Sequence, residues 1–241
     1  MDFSVAAFNA HWGVGRFGAL RHVKYDVPRV VRSFGADLVV VPEAWRDDDG
    51  RGVLEPLSEH GYQVETIALM RLELRHDRNL DVVPHEGVWE LAVCSRFPVL
   101  DRREIPIGTL KSDPPGPRNA LALTVDIAGT PTEVIGVHTS SKVWRLAPVR
   151  HLMALQRGLS ANGPQIIAGD FNFWGPPIGA LFRGWRRPVR GRTYPANRPH
   201  SQIDHVLVRG GIEALDGEVL AATPSDHRPI RARLRMTDGV S

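Results

Sequence analysis

Apolar residues recur along the chain in runs of strand length, and most of these runs close on a polar residue. Residues 2–9, Asp-Phe-Ser-Val-Ala-Ala-Phe-Asn, alternate as a half-buried strand does and end at Asn9, before the glycine-rich Trp12-Gly13-Val14-Gly15. Residues 37–43, Asp-Leu-Val-Val-Val-Pro-Glu, form a continuous apolar run ending at Glu43, the pattern of a strand buried on both faces. Further strands are expected at 62–69, 88–95, 98–106, 119–127, 132–139, 165–170, 201–208, 217–222 and 228–235. A helix over 23–34 would place Pro28 in its first turn, carry Val27, Val30, Val31 and Phe34 as its apolar stripe and stop at Gly35. Helices are also expected at 53–60, 146–160 and 177–183. Residues 71–87 are charged and irregular and carry no assignment, and the proline-rich 111–118 reads as a loop. Strands outnumber helices and the helices are interspersed, which predicts an α/β sandwich in a single domain over 1–236, with a tail at 237–241.

Composition sets bounds on this picture. At 241 residues and 42% hydrophobic, the chain can bury a sizeable core. No apolar run is long enough to cross a bilayer, so no membrane insertion is expected. The N-terminus shows no basic segment or cleavage-site pattern, and the single cysteine, Cys94, fits a reducing compartment, so the expected location is cytoplasmic. Cys94 lies in an apolar run and reads as a small core residue rather than a nucleophile. The net charge is +3, and the basic residues are almost all arginine, with lysine only at 24, 111 and 142. Arg183, Arg186, Arg187, Arg190 and Arg192 fall together, either as a phosphate-facing patch or as a solvated basic loop.

Candidate chemistry gathers at the strand ends. The run Ile166-Ile167-Ala168-Gly169-Asp170-Phe171-Asn172 leads from a core strand into a turn. In an extended chain, Asp170 and Asn172 would project to one side. Alone, the segment reads more simply as turn residues after a strand. His138, Asp204 and Ser225-Asp226-His227 stand at other strand ends. Adjacent side chains on an extended segment point apart, so His227 needs a carboxylate from elsewhere than Asp226, and Asp204 is the candidate. Carboxylates, amides and a histidine are the groups that hydrolysis with a divalent metal uses: hard cations take carboxylate oxygens, and phosphoryl transfer needs a Lewis acid and a base for water.

The order Asn9, Glu43, His138, Asp170-Phe171-Asn172, Asp204, Ser225-Asp226-His227 resembles the endonuclease/exonuclease/phosphatase (deoxyribonuclease I-like) superfamily over residues 3 to 235. Cys94-Ser95-Arg96-Phe97-Pro98 and Thr193-Tyr194-Pro195 are smaller matches. The resemblance implies a four-layer α/β sandwich, two mixed β-sheets packed face to face with flanking helices. It implies Glu43 as the principal Mg²⁺ ligand (Mn²⁺ or Ca²⁺ as alternatives), helped by Asp226 and Asn9. It implies Asp170 on the attacking water, Asn172 and Asn9 on the phosphoryl oxygens, and His227, oriented by Asp204, at the pentacovalent centre. It implies an acid role or a phosphate contact for His138, and Arg118 aligns loosely with an arginine that contacts phosphate in some members. Two departures stand out: Pro42 replaces the glutamine usual before the metal glutamate, and the tyrosine that some members place near the phosphate is not found.

Trp12, Trp45, Trp144 and Trp174 each follow one of these motifs, either packing under the site or offering a face to a base or a quaternary ammonium. With the arginine cluster, they point first to a metal-dependent phosphodiesterase or endonuclease on nucleic acid. The alternatives are a small-molecule or phospholipid phosphoesterase, and a non-catalytic binding protein on the same fold. The expected partner is the phosphoester substrate, and a monomer is expected.

Overall fold

The computed structural model describes residues 1–17, 21–73, 86–108, 118–142 and 146–237. Strands β1 (Asp2–Ala7), β4 (Leu38–Asp47), β5 (Gln63–Glu73), β6 (Glu86–Ser95), β12 (Ile212–Val219) and β13 (Ile230–Met236) form one sheet in the order β12-β13-β1-β4-β6-β5. Strands β7 (Val99–Gly108), β8 (Arg118–Ile127), β9 (Thr130–His138), β10 (Gln165–Asp170) and β11 (Asp204–Arg209) form the second, in the order β11-β10-β9-β8-β7. β2 (Val14–Phe17) and β3 (Arg21–Lys24) make a separate hairpin. Both large sheets are mixed: β1 runs parallel to β4 and β10 parallel to β9, while the other pairs are antiparallel.

The two-residue side-chain period sorts each strand between two cores. Phe3, Val5 and Ala7 of β1 enter the layer between the sheets, where they meet Leu121, Leu123, Ile166, Ala168 and Val206 of the opposite sheet. Ala6 and Phe8 turn the other way, under helix α1 (Val27–Ser33) and the 3-10 helix Glu55–His60. β4 does the same with Leu38 and Val40 against Val39 and Val41, which explains its unbroken apolar run. On the far face of the second sheet, Ile135, Val137 and Ile167 pack beneath α2 (Ala147–Gly158) and α3 (Gly175–Leu181). The result is four layers, helix-sheet-sheet-helix. The sheets approach so closely at Gly136 that a Cβ there would lie 2.9 Å from Val93 Cγ2.

Several expected boundaries move, for physical reasons. The helix expected over 23–34 starts only at Val27, because Asp26 caps it by accepting from the Arg29 N–H at 2.9 Å, and the residues before it belong to the β2–β3 hairpin. The strand expected at 217–222 is β12, starting at Ile212, since its pairing with β13 begins at Ile212↔Met236. The strand expected over 201–208 begins at Asp204, and the unassigned stretch 71–87 contains the end of β5 and the start of β6. Residues 111–117 and Trp144 lie outside the described residues. No helix among the described residues is long and apolar enough to cross a membrane.

Candidate functional site

Strand register assembles the site. β9 and β10 are parallel, with Asp170 opposite His138, and β10 and β11 are antiparallel, with Asp170 opposite Asp204. Three polar residues, His138 and Asp170 closing their strands and Asp204 opening its own, therefore stand side by side. The ladder continues past them through Thr139 N–H to Asp170 O at 3.0 Å and Phe171 N–H to Ile203 O at 2.9 Å. Gly169 is required beside them: its φ is 134°, and a Cβ would lie 2.1 Å from the Val137 carbonyl oxygen.

The other sheet supplies Asn9 and Glu43. β4 carries a bulge in which Pro42 and Glu43 stand opposite the single residue Leu91. Proline suits this place because a bulge leaves one N–H out of the ladder. The Pro42 carbonyl accepts from the Ala10 N–H at 2.9 Å, and Glu43 takes a left-handed φ of 56° that turns its side chain into the cleft. The replacement of the usual glutamine by Pro42 is thus absorbed by backbone geometry.

Asn9 Nδ2 donates to Glu43 Oε1 and to Asp170 Oδ2, each at 3.1 Å. Its amide oxygen accepts from the His11 N–H at 3.0 Å, so the side chain meets both carboxylates as a donor and its oxygen is turned away from a ligand position. Ser225 Oγ donates to the Asn9 carbonyl at 2.7 Å and accepts from the His227 N–H at 3.2 Å, which ties the last loop to β1. His227 Nδ1 lies 2.9 Å from Asp204 Oδ2, and its Nε2 lies 3.8 Å from Asp170 Oδ2. His138 Nε2 stands 3.7 Å from both Glu43 Oε1 and Asp170 Oδ2.

Asp170 and Asn172 do not project in parallel as strand residues. Asn172 has a φ of 45°, its N–H donates to Asp170 Oδ1 at 2.8 Å, and its Nδ2 donates to the Thr139 carbonyl at 3.0 Å. The segment is a tight Asx-type turn, and both residues line the cleft all the same.

Burial governs the electrostatics. It lifts the Asp170 carboxyl to about 7, with Asp204 and Glu43 adding to the rise and His227 opposing it. Burial also raises Glu43, against the pull of His11, the Asn9 amide and His227. His227 loses by burial, yet Asp204, Asp170 and Asp226 overcome that and hold it at about 10, so its ring is cationic at neutral pH. Burial and the neighbouring Arg118 push His138 well below 6.5, and it is neutral.

The cleft measures about 470 Å³. Arg118 lines it and braces the end of β9 by donating Nη1 to the His138 carbonyl at 3.2 Å. Trp174 stands 48% exposed at the mouth, whereas Trp45 is buried outside the cleft and Trp12 is half-buried, edge-on to Trp89. None of the five clustered arginines lines the cleft; Arg183, Arg186, Arg190 and Arg192 are exposed elsewhere, as a solvated loop. Sequence reasoning missed His11, Trp89, Tyr194, His200 and Ser201, all in the cleft wall. Trp89 meets the His138 ring edge-on at 5.1 Å, and the Tyr194 ring lies 4.9 Å from that of His227. Trp89 was signalled by its place in a predicted strand, but no local feature marks its neighbour.

Two carboxylate groupings could hold a cation. Asp170, Asp204 and His227 offer ligand atoms within 4.8 Å of one another, but His227 Nδ1 and Asp204 Oδ2 already bond to each other. Glu43 and Asp226 both face the cleft, and Asp226 Oδ1 is buried with no hydrogen-bond partner. An orphaned carboxylate oxygen beside a second acid fits a hard divalent cation.

The profile of the Endonuclease/Exonuclease/phosphatase family matches residues 6–227. A search of curated proteins returns no match. Among solved structures, an endonuclease/exonuclease/phosphatase from Beutenbergia cavernae superposes with a TM-score of 0.74 at 23% identity, over 98% of this chain and 72% of the other. The mannosyl-6-phosphatase Bt3783 of Bacteroides thetaiotaomicron gives 0.69 at 16% identity, over 97% and 99%. A truncated Caenorhabditis elegans TDP2 gives 0.68 at 14%, over 97% of each chain. With strand ends, sheet order and family profile in agreement, the chain belongs to the endonuclease/exonuclease/phosphatase family of hydrolases.

Proposed function

We propose that the protein is a divalent-metal-dependent hydrolase of compact phosphoesters. The observation that carries this reading is Asn9 Nδ2 bridging Glu43 and Asp170, with the cationic His227 3.8 Å from the same Asp170 oxygen, Oδ2. A cation held by Glu43 and Asp226 would supply Lewis acidity at the phosphoryl oxygens. Asp170 is held through both oxygens, by the Asn172 N–H and by Asn9 Nδ2. So fixed, and with its carboxyl lifted to about 7, it is suited to aligning water and taking its proton. His227, locked by Asp204 through Nδ1, turns Nε2–H toward the same space and offers a charged donor to the developing negative charge. Neutral His138, 3.7 Å from Glu43 and Asp170, and Arg118 also line the cleft. A cleft of about 470 Å³, with Arg118 its only arginine among the described residues, suits a compact substrate, and the similarity to a mannosyl-6-phosphatase agrees with that size.

The second reading is a nuclease or nucleic-acid phosphodiesterase. Trp174, exposed at the mouth next to Asn172, favours it as a surface on which a base can stack. A panel of sugar phosphates, nucleotides, plasmid, RNA and choline phospholipids, with and without EDTA, separates the two. Turnover of a monoester that EDTA and Asp170→Ala both abolish is the expected result. Plasmid nicking with no monoester turnover selects the second reading, and EDTA-insensitive turnover refutes the metal.

A further inference from the structure

A second pocket lies behind Trp12. Its wall contains Trp12, Lys24, Tyr25, Trp45 and Arg51, and it measures about 270 Å³. Trp12 lines both this pocket and the catalytic cleft, so the two share one indole as a partition.

The polar groups here are unbalanced in one direction. Trp12 Nε1 and Trp45 Nε1 are buried and donate to nothing. Buried N–H groups of this kind are normally satisfied, and both of these belong to residues that line the pocket. Lys24 and Arg51 add two cations, neither of them in an ion pair among the described residues. The Tyr25 hydroxyl is spent on the Ala10 carbonyl at 2.6 Å. Asp47, the one acid in the wall among the described residues, accepts at Oδ1 from the Arg51 N–H at 2.8 Å, closing the tight turn that carries Arg51 at the end of β4. Two unpaired donors and two unpaired cations complement an oxyanion.

We propose that this pocket binds a second anionic group of the substrate, a phosphate or a carboxylate, while the scissile phosphoester occupies the cleft on the other side of Trp12. The inference rests on the phosphoester-hydrolase reading above and narrows its substrate to a compact molecule carrying two anionic groups.

The test has two arms. In the first, protein with isotope-labelled indole nitrogens is titrated with inorganic phosphate in EDTA. The Trp45 indole N–H, which lies outside the cleft, is expected to shift saturably. That shift should vanish in Lys24→Ala/Arg51→Ala and persist in Asp170→Asn. In the second arm, a hexose monophosphate is compared with the corresponding bisphosphate. The bisphosphate should be preferred on the order of tenfold in kcat/KM, the scale of one charge-assisted hydrogen bond, and the double variant should lose that preference with monophosphate turnover unchanged. A moving Trp45 signal without turnover of either ester keeps the anion pocket and refutes the hydrolase reading. Equal turnover of both esters with a silent Trp45 refutes the pocket and leaves the hydrolase reading intact.

Discussion

Asn9 Nδ2 donates to Asp170 Oδ2 at 3.1 Å, a hydrogen bond that spans 161 positions of sequence and joins the two sheets at the cleft floor. The same nitrogen reaches Glu43. One amide therefore separates a buried and a partly buried carboxylate that would otherwise repel each other. Replacing Asn9 with alanine should lower kcat by roughly a hundredfold. It should also cost about 1–3 kcal/mol of stability, because two acceptors lose a buried donor. Steady-state kinetics and calorimetry check both, and a variant with wild-type kcat refutes the role given to the bridge.

Removing the partner of His227 should change both pH behaviour and turnover. Folding lifts this imidazole from 6.5 to about 10. A raised basic group stabilises the fold fully below its unfolded value, and the contribution is lost as pH rises through about 10. Asp204→Asn should remove much of that contribution near neutral pH and lower kcat. NMR titration of the ring should show protonation near 10 in the parent and well below it in the variant. An unchanged titration would show that Asp204 does not hold the charge.

The metal should stabilise the protein, and more so at higher pH. Asp170 is lifted from 3.8 to about 7 in the fold without metal. The stability it contributes is present below 3.8 and lost as pH rises through about 7, because an ionised buried carboxylate is then left facing Glu43 and Asp204. Adding Mg²⁺ should therefore raise Tm more above pH 7 than well below it. Glu43→Gln should abolish both the Tm rise and turnover, as differential scanning calorimetry in Mg²⁺ and in EDTA can establish.

Trp174→Ala should leave Tm within a degree or two of the parent, since the side chain is 48% exposed. Its effect should fall on KM, which rises several-fold if the indole covers bound substrate. An unchanged KM on the best substrate of the panel would remove Trp174 from the binding surface.

Gly169→Ala tests the register itself. The methyl would meet the Val137 carbonyl, and the φ of 134° is hostile to a side chain. We expect a loss on the order of 4 kcal/mol, seen as a large drop in Tm, with activity falling as His138 and Asp170 lose their alignment.

Much of this was legible in the sequence because a strand that ends in a polar residue shows both its length and its terminus. Asp170 and His138 were visible in that way, and so was the pairing of His227 with a carboxylate other than its neighbour; Glu43 closes an apolar run, but its strand continues to Asp47, and Asp204 opens a strand. The bulge at Pro42-Glu43 was not, since it arises from pairing with Leu91 on a strand almost fifty positions away. Trp89 and Tyr194 also escaped notice, because what matters about each is the histidine ring it touches, a property of packing rather than of local pattern. The arginine cluster is dense in sequence, yet none of its five members is among the residues that line the cleft, and four of them are exposed. The helix was expected to begin at residue 23, taking in the last two residues of β3, because Val27 and Val31 are spaced for one, and only the Asp26 cap shows where that helix begins.

The division of the site between two sheets has a consequence for how the molecule comes into being. Asn9 follows β1 and Glu43 lies in β4, while β9, β10 and β11 contribute His138, Asp170 and Asp204, and His227 stands in the segment before β13. No single sheet holds the set, so hydrolysis requires both sheets and that segment to be docked together. Turnover thereby becomes a readout of complete folding, and a chain cut at the exposed turn near Gly163 would regain it only when both fragments reassociate.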